Sequence, residues 1–304
     1  MRIGLTGGGP TVDRMIDQAK QAEADGFTSL WFASAVAGDP LVAMAVAGHG
    51  TTTLELGTSV LQTYTSHPTL LANRAAAVVA AMGRPGLTLG VGPSHEPVIA
   101  GMHGLDFSHP GRHTEEYVSV LAPLLRGESV SFTGEDHRVH AGPPALTHGD
   151  IPILVAALGP RLLRVAGEQT AGTILWMANA RAIEAHVAPR IRAAADGAGR
   201  SEPRIVAGLP VAVHDDVAEA RRVAATQFAM YGTLPNYQRI LAHGQVDGPA
   251  DAALVGDEAS VAGQVEALFA AGATDLWAAP FPVGDDRKAS TTRTRALLKE
   301  LVNA

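Results

Sequence analysis

Residues 54–68 read Leu54-Glu55-Leu56-Gly57-Thr58-Ser59-Val60-Leu61-Gln62-Thr63-Tyr64-Thr65-Ser66-His67-Pro68, and an alanine-rich stretch follows as far as Met82. The first seven residues form a short, mostly apolar run with β-branched members, which predicts a strand over 54–60. Gln62, Thr63, Tyr64 and His67 then bring polar groups, and Pro68 stands where a helix would start, giving a predicted helix over 68–82. A strand that empties into polar residues and then a helix is one β-loop-α unit. The fold turns on how often that unit recurs.

It recurs along the whole chain. Strands are predicted at 2–6, 29–32, 54–60, 87–91, 153–157, 173–177, 205–213 and 275–279. Helices are predicted between them at 11–25, 40–47, 68–82, 113–125, 161–168, 181–195, 216–230 and 260–271, with 293–301 closing the chain. Residues 129–140 alternate around Gly134 in the manner of a surface hairpin. Strands alternating with helices of this length imply parallel pairing through right-handed crossovers. Eight such units predict a closed (β/α)8 TIM barrel, one domain over residues 1–304 with short loop insertions. An open doubly wound sheet is the alternative. In a barrel, the chemistry belongs on the loops that follow the strands.

Composition narrows the function. The 23 Lys and Arg against 30 Asp and Glu leave a formal charge of −7, with no dense basic run, so neither nucleic acid nor an anionic membrane is an expected partner. The absence of cysteine removes disulfides, iron–sulfur clusters, thiolate zinc sites and cysteine nucleophiles together. Histidine is plentiful at 12, but it is scattered and forms no H-x-H or H-E-x-x-H motif, so a metal-dependent hydrolase is not expected and no metal site is assigned. No apolar run reaches the roughly 18 residues that span a bilayer. The first predicted strand starts beside Met1, which leaves no room for a signal peptide. The expectation is a cytoplasmic enzyme acting on a small molecule.

Four loops carry candidate chemistry. Gly7-Gly8-Gly9-Pro10 follows the first strand and suits either close approach of a ligand or a plain turn. After the third, His67 is either a cap of the helix behind it or a polar group at the mouth. The fourth is followed by Gly92-Pro93-Ser94-His95, whose open backbone N–H groups suit an anion, or else an ordinary serine cap. Behind the fifth, Ala157-Leu158-Gly159-Pro160-Arg161 forms a second candidate anion pocket, with Arg164 a turn further on.

These loops, in this order, resemble the luciferase-like superfamily of flavin and deazaflavin barrels. The resemblance is carried by Ala22-Glu23-Ala24-Asp25-Gly26-Phe27 with Leu30-Trp31-Phe32, by Gly57-Thr58-Ser59-Val60, by His67-Pro68, and by Gly90-Val91-Gly92-Pro93-Ser94-His95. The stretch from Pro152 to Pro160, Ala166-Gly167-Glu168 and the turn Ala271-Gly272-Ala273 add to it. It implies a cofactor ring across the mouth, supported by a bulge with a cis peptide, here Ser59–Val60. The phosphate-bearing tail would lie on Gly92, Pro93, Ser94 and His95 and on Ala157, Leu158, Gly159, Pro160 and Arg161. It further implies a homodimer.

Gly-Thr-Ser-Val and Pro-Ser-His resemble the hydride-transferring branch, whose cofactor is the 8-hydroxy-5-deazaflavin coenzyme F420; FMN, in a luciferase-like monooxygenase, is the alternative. Three features depart from the family pattern. Phe32-Ala33-Ser34-Ala35-Val36 lacks the usual Asp-His pair, Ala171-Gly172 replaces an Asp-Gly, and the long insertion of luciferase itself is missing. The first departure leaves His67 and His95 as the catalytic candidates, with His67 favoured as proton donor and bulk water as the alternative source. It also keeps open a non-catalytic barrel that only binds a flavin. The resemblance leaves the small organic substrate unidentified: an activated C=C, a C=N, or an alcohol–carbonyl pair.

Overall fold

A computed structural model describes residues 1–33, 39–146 and 149–304. The eight barrel strands are β1 (Ile3–Gly7), β2 (Ser29–Phe32), β3 (Glu55–Thr58), β4 (Leu87–Gly92), β5 (Ile153–Val155), β6 (Gly172–Trp176), β7 (Arg204–Val213) and β8 (Asp275–Pro280). Each pairs in parallel with the next, and β8 pairs with β1 to close the ring. The expected (β/α)8 barrel is therefore the observed one, and the open sheet is excluded.

Helices α1 (Val12–Ala24), α2 (Pro40–His49), α3 (Pro68–Met82), α4 (Pro110–Leu125), α5 (Pro160–Gln169) and α6 (Ala188–Gly197) form most of the outer wall. Their local signals are plain. Thr11 caps α1 by accepting from the Arg14 N–H, and Met15, Ala19 and Ala22 form its buried stripe. Proline opens α2, α3, α4 and α5, where its missing N–H costs nothing. The hairpin Val130–Thr133 with Arg138–Ala141 is also as expected. Its tip is fixed by Glu116 of α4, whose carboxylate accepts from the N–H groups of Glu135, Asp136 and His137.

The barrel interior is filled by Trp31, Leu154, Ile174, Val206 and Trp277. Two indole rings fit inside because glycine lies beside each. A Cβ at Gly57 would stand 2.2 Å from Trp31, and one at Gly208 the same distance from Trp277. The lower end of the barrel is closed by charge. Arg2, Glu55, Arg204 and Asp275, each at or beside the start of a strand, form ion pairs of 2.6 to 2.9 Å. Burial works against the Asp275 carboxylate, but Arg204 holds it below its ordinary range.

Two regions differ from the sequence reading. The third strand stops at Thr58, and Leu61–Gln62 resumes as a separate short pairing with Val91 and Gly92. After β7 the chain makes a longer excursion than the single helix expected over 216–230. It forms α7 (Val217–Gln227), a 3-10 turn (Ala229–Thr233) and α8 (Pro235–His243). A short strand, Leu254–Gly256, then pairs with the last three residues of β7. Only afterwards do α9 (Glu258–Ala270), β8 and α10 (Arg287–Asn303) complete the barrel. Residues 214–257 therefore form a crossover unit on the upper end, where β7 outruns its neighbours. The residues after β2 that lack an Asp-His pair fall largely within 34–38, outside the described residues.

Candidate functional site at the barrel mouth

The break in the third strand shapes the floor of the mouth. Ser59–Val60 is a cis peptide, as the resemblance implied. Thr58 donates its hydroxyl to the Gly90 carbonyl at 2.8 Å, and the Thr63 N–H reaches the Gly92 carbonyl at 3.0 Å. β4 tolerates this close approach because a Cβ at Gly90 would lie 1.9 Å from the Thr58 carbonyl oxygen. Val60 is thereby laid on the inner core together with Trp176, the last residue of β6. The floor is apolar. Beside it the Ser59 and Thr63 hydroxyls are buried without a hydrogen-bond partner.

The fourth loop turns at Ser94, which holds the left-handed conformation at φ 65°. Met177, directly after β6, does so at φ 64°. Such backbone costs on the order of 1–3 kcal/mol at a non-glycine residue and concentrates at ligand sites. His95 is half-buried with its ring 5.6 Å from Tyr237 of α8, and burial holds its imidazole below the ordinary value, hence neutral. The turn behind it, Pro97–Met102, is a six-residue π-helical segment, too short to act as a dipole.

In the fifth loop Ala157 is buried, and the Leu158 carbonyl lies 2.9 Å from His186 Nε2. Gly159 begins α5 with no side-chain cap, which leaves first-turn N–H groups open behind Pro160. Arg161 lies on the outer face, paired with Glu115 at 2.6 Å, and Arg164 shares that carboxylate. His67 is an exposed cap: its Nδ1 accepts from the Thr69 N–H and stands 2.7 Å from the Thr69 hydroxyl. The structure thus brings Ser59, Val60, Gly92, Pro93, Ser94 and His95 to one mouth, while His67 and Arg161 sit at its rim with partners of their own.

Sequence reasoning missed an aromatic roof. Trp176 meets Tyr231 at 5.8 Å and Phe228 at 6.1 Å, and Tyr231 meets Tyr237 at 4.9 Å. Trp176 was legible as a strand-end residue. Its partners were not, because they belong to the unread excursion. Also missed was a cluster behind the third loop, where His113 stacks on Tyr64 at 3.8 Å and lies 4.8 Å from His137. Burial pushes the Tyr64 hydroxyl up to about 12 and holds both histidines low. Among the described residues no three His, Asp or Glu side chains converge to hold a metal ion. A surface cleft of about 250 Å³ beside Ser119, Arg126 and Arg200 lies on the outer wall, and none of its lining residues directly follows a barrel strand.

A closed parallel barrel with an apolar, partly unsatisfied upper mouth defines a class of small-molecule enzymes. The profile of the luciferase-like monooxygenase family matches residues 2–288, and the chain belongs to that family. It is 28% identical over 209 residues to the 5,10-methylenetetrahydromethanopterin reductase of Methanolobus tindarius, a match that spans 68% of this chain and 63% of the relative. A putative coenzyme F420-dependent oxidoreductase of Mycobacterium tuberculosis is 32% identical over 161 residues, 48% of this chain and 46% of that one. The coenzyme F420-dependent tetrahydromethanopterin reductase of Methanopyrus kandleri superposes with TM-score 0.78 at 20% identity, covering 99% and 96% of the two chains. An FMN complex of a type II Baeyer-Villiger monooxygenase from Pseudomonas putida gives 0.73 at 18%, covering 99% and 97%. The structural likenesses speak for the fold. The relatives named here are a reductase and an oxidoreductase, and the chain spans less than two thirds of the length of either.

Proposed function

We propose that the protein is an F420-dependent oxidoreductase that transfers a hydride between the deazaflavin and a small organic substrate. The observation that carries this reading is the floor of the mouth, where Val60 and Trp176 offer an apolar bed and buried Ser59 Oγ has no partner. These features fit a flat heterocycle with polar edges, and the putative coenzyme F420-dependent oxidoreductase among the relatives supports the deazaflavin as that ring. When bound, the deazaflavin supplies a ring carbon that gives or takes a hydride and does not activate oxygen. Ser59 and Val60 would hold the ring. The N–H groups of Gly92, Ser94 and His95 and of Gly159 and Arg161 would hold the anionic tail, with Arg161 dividing its charge between Glu115 and that tail.

Reduction of an activated C=C or C=N takes a hydride at one atom and a proton at its neighbour. The cap bond of His67 engages its Nδ1 and argues against the donor role the sequence suggested for it. His95, beside the roof, is the other candidate donor, and because burial holds its imidazole below the ordinary value it would have to take up a proton before giving one. The reading places the protein in the cytoplasm as a homodimer. An FMN-dependent monooxygenase is the second reading, favoured by the likeness to the FMN complex.

Titration of the full chain with coenzyme F420 and with FMN tests the cofactor. The deazaflavin is expected to bind about tenfold tighter or better, a difference of roughly 1.4 kcal/mol, and FMN binding as tightly or tighter overturns the reading. His95→Ala should slow single-turnover hydride transfer by about 10²-fold or more if His95 supplies the proton. His67→Ala should leave that rate unchanged. A slow His67→Ala with a normal His95→Ala reverses the assignment.

A further inference from the structure

Hydride transfer makes no use of the histidines behind the third loop, yet unpaired polar groups gather there. Among the described residues, Ser59, Thr63 and Ser66 of the loop and His113, Tyr117 and His137 behind it each bury a polar side-chain atom without a hydrogen-bond partner. Folded chains carry few such atoms, so a group of them has a cause.

His113, one turn into α4, lies flat on Tyr64, the rings 3.8 Å apart and 11° from parallel. The Thr63 backbone accepts a hydrogen bond from the same imidazole. Thr63 in turn donates its N–H to the Gly92 carbonyl at 3.0 Å, where β4 ends and the loop to Ser94 begins. One side chain thus links an outer helix to both loops of the floor. The helix is a firm support, since Tyr117 is fully buried and Glu116 ties the hairpin tip to it. From that hairpin His137 backs the stacked pair, 4.8 Å from His113.

Positive charge is poorly accommodated here. Burial holds both imidazoles below the ordinary value of 6.5, and His113 and His67 hold His137 lower still. The acids that face the pair are already engaged. Glu116 accepts from three hairpin N–H groups, and Asp136 is paired with Arg112 at 2.8 Å. Burial pushes the Tyr64 and Tyr117 hydroxyls up, so both stay neutral, and Asp106 and Arg74 bear only on these two rings. A proton on His113 Nε2 would create a buried donor with no acceptor, and the ring would find one only by leaving the stack for water.

We propose that His113 is a positioning residue for the mouth: stacked on Tyr64, it holds the third loop against β4 in the form that accepts a flavin-like ring, and protonation of His113 opposes binding of that ring. This rests on the reading of the floor as a ring site and not on which ring occupies it. Above the ordinary histidine value His113 is neutral whether the loop is docked or not, and affinity is at its full level. As pH falls below that value the undocked form takes up the proton more readily, and affinity drops. By reciprocity, a bound ring lowers the titration point of His113 further.

Coenzyme F420 and FMN, titrated separately into the full chain between about pH 8 and about pH 5, test the inference with two variants. His113→Ala, which has no ring, should bind either cofactor about fivefold more weakly at the upper pH. His113→Phe restores the stack without a titratable group and should recover most of that loss. Between the two pH limits the unaltered chain should lose about tenfold in affinity relative to His113→Phe, one linked proton being worth at most about tenfold per pH unit. Taking the ratio of the two chains at each pH cancels ionisation of the cofactor itself. NMR titration of the His113 ring in the unaltered chain, which depends on no variant folding, should show a titration point that falls when cofactor is added. Unchanged affinity in His113→Ala, an equal acid loss in His113→Phe or a titration point that cofactor does not lower overturns the inference, and so does failure of both cofactors to bind. Coenzyme F420 failing to bind while FMN shows the coupling defeats the deazaflavin reading alone.

Discussion

Glu23 and Asp25 both belong to the short motif after which the family resemblance was drawn, and the structure gives each a distinct task. Glu23 Oε1 accepts from the N–H groups of Thr52, Thr53 and Leu54, which ties the end of α1 to the turn before β3. Asp25 takes Arg295 and Lys299 and so fastens α10 onto α1. Burial raises the Glu23 carboxyl, yet the three backbone donors lower it to about 2. Its folded value lies below the ordinary one near 4.3 for an unfolded chain. The stabilisation is therefore complete above that ordinary value and is lost as pH falls through about 2. Glu23→Gln should lower stability at pH 7 by about 1–2 kcal/mol and flatten the acid limb of the unfolding curve. An acid limb as steep as the unaltered chain's would deny the carboxylate this role. The sequence marked these residues without saying why, since neither partner is near in the chain. His67 shows the opposite case: its two readings were both written locally, and Pro68 behind it favoured the cap.

Among elements, the broken third strand and the excursion after β7 were least legible. Apolar periodicity over 54–60 looks continuous because the interruption lies in backbone pairing, which side-chain pattern does not record. The glycine spacing of β4 was the available signal. Gly90→Ala would place a methyl 1.9 Å from a backbone oxygen, with no side chain to give way. It should cost about 3 kcal/mol or more in a denaturant titration and weaken cofactor binding with it. Gly101→Ala, whose methyl meets nothing within 4 Å, is the control and should stay within about 0.5 kcal/mol. Equal costs for the two would remove the steric account of the floor. The excursion escaped notice because α8 is short and its contacts lie across the mouth at His95, Asn179 and His186. Pro235, at the first position of α8, was its one local signature.

At the scale of the molecule the barrel was legible almost entirely, since eight alternations of strand and helix allow few other arrangements. The assembly is written more faintly. α2 is apolar around its circumference, with Val42 58% and Val46 43% exposed, and Leu70 on neighbouring α3 is 53% exposed. A helix apolar on every side is ordinarily covered on every side, and the proposed homodimer would cover this one. Light scattering at micromolar concentration should give twice the chain mass, and the double variant Val42→Lys, Val46→Lys should give one chain mass with the melting curve of a folded protein. A monomeric unaltered chain would sink the proposal.

The ionic ring at the lower end of the barrel has a consequence for how such a protein changes. Asp275, 2% exposed at its side chain, is held by Arg2 and Arg204, and losing both arginines would strand a buried charge at a cost of roughly 3–5 kcal/mol. That lower ring keeps the strands in register whatever occupies the loops at their other end. Substitutions around the mouth can alter which molecules are accepted without drawing on the contacts that keep the barrel closed. A scaffold divided in this way can be retuned for new substrates one loop at a time, and directed evolution confined to the upper loops should retain folded variants in high proportion.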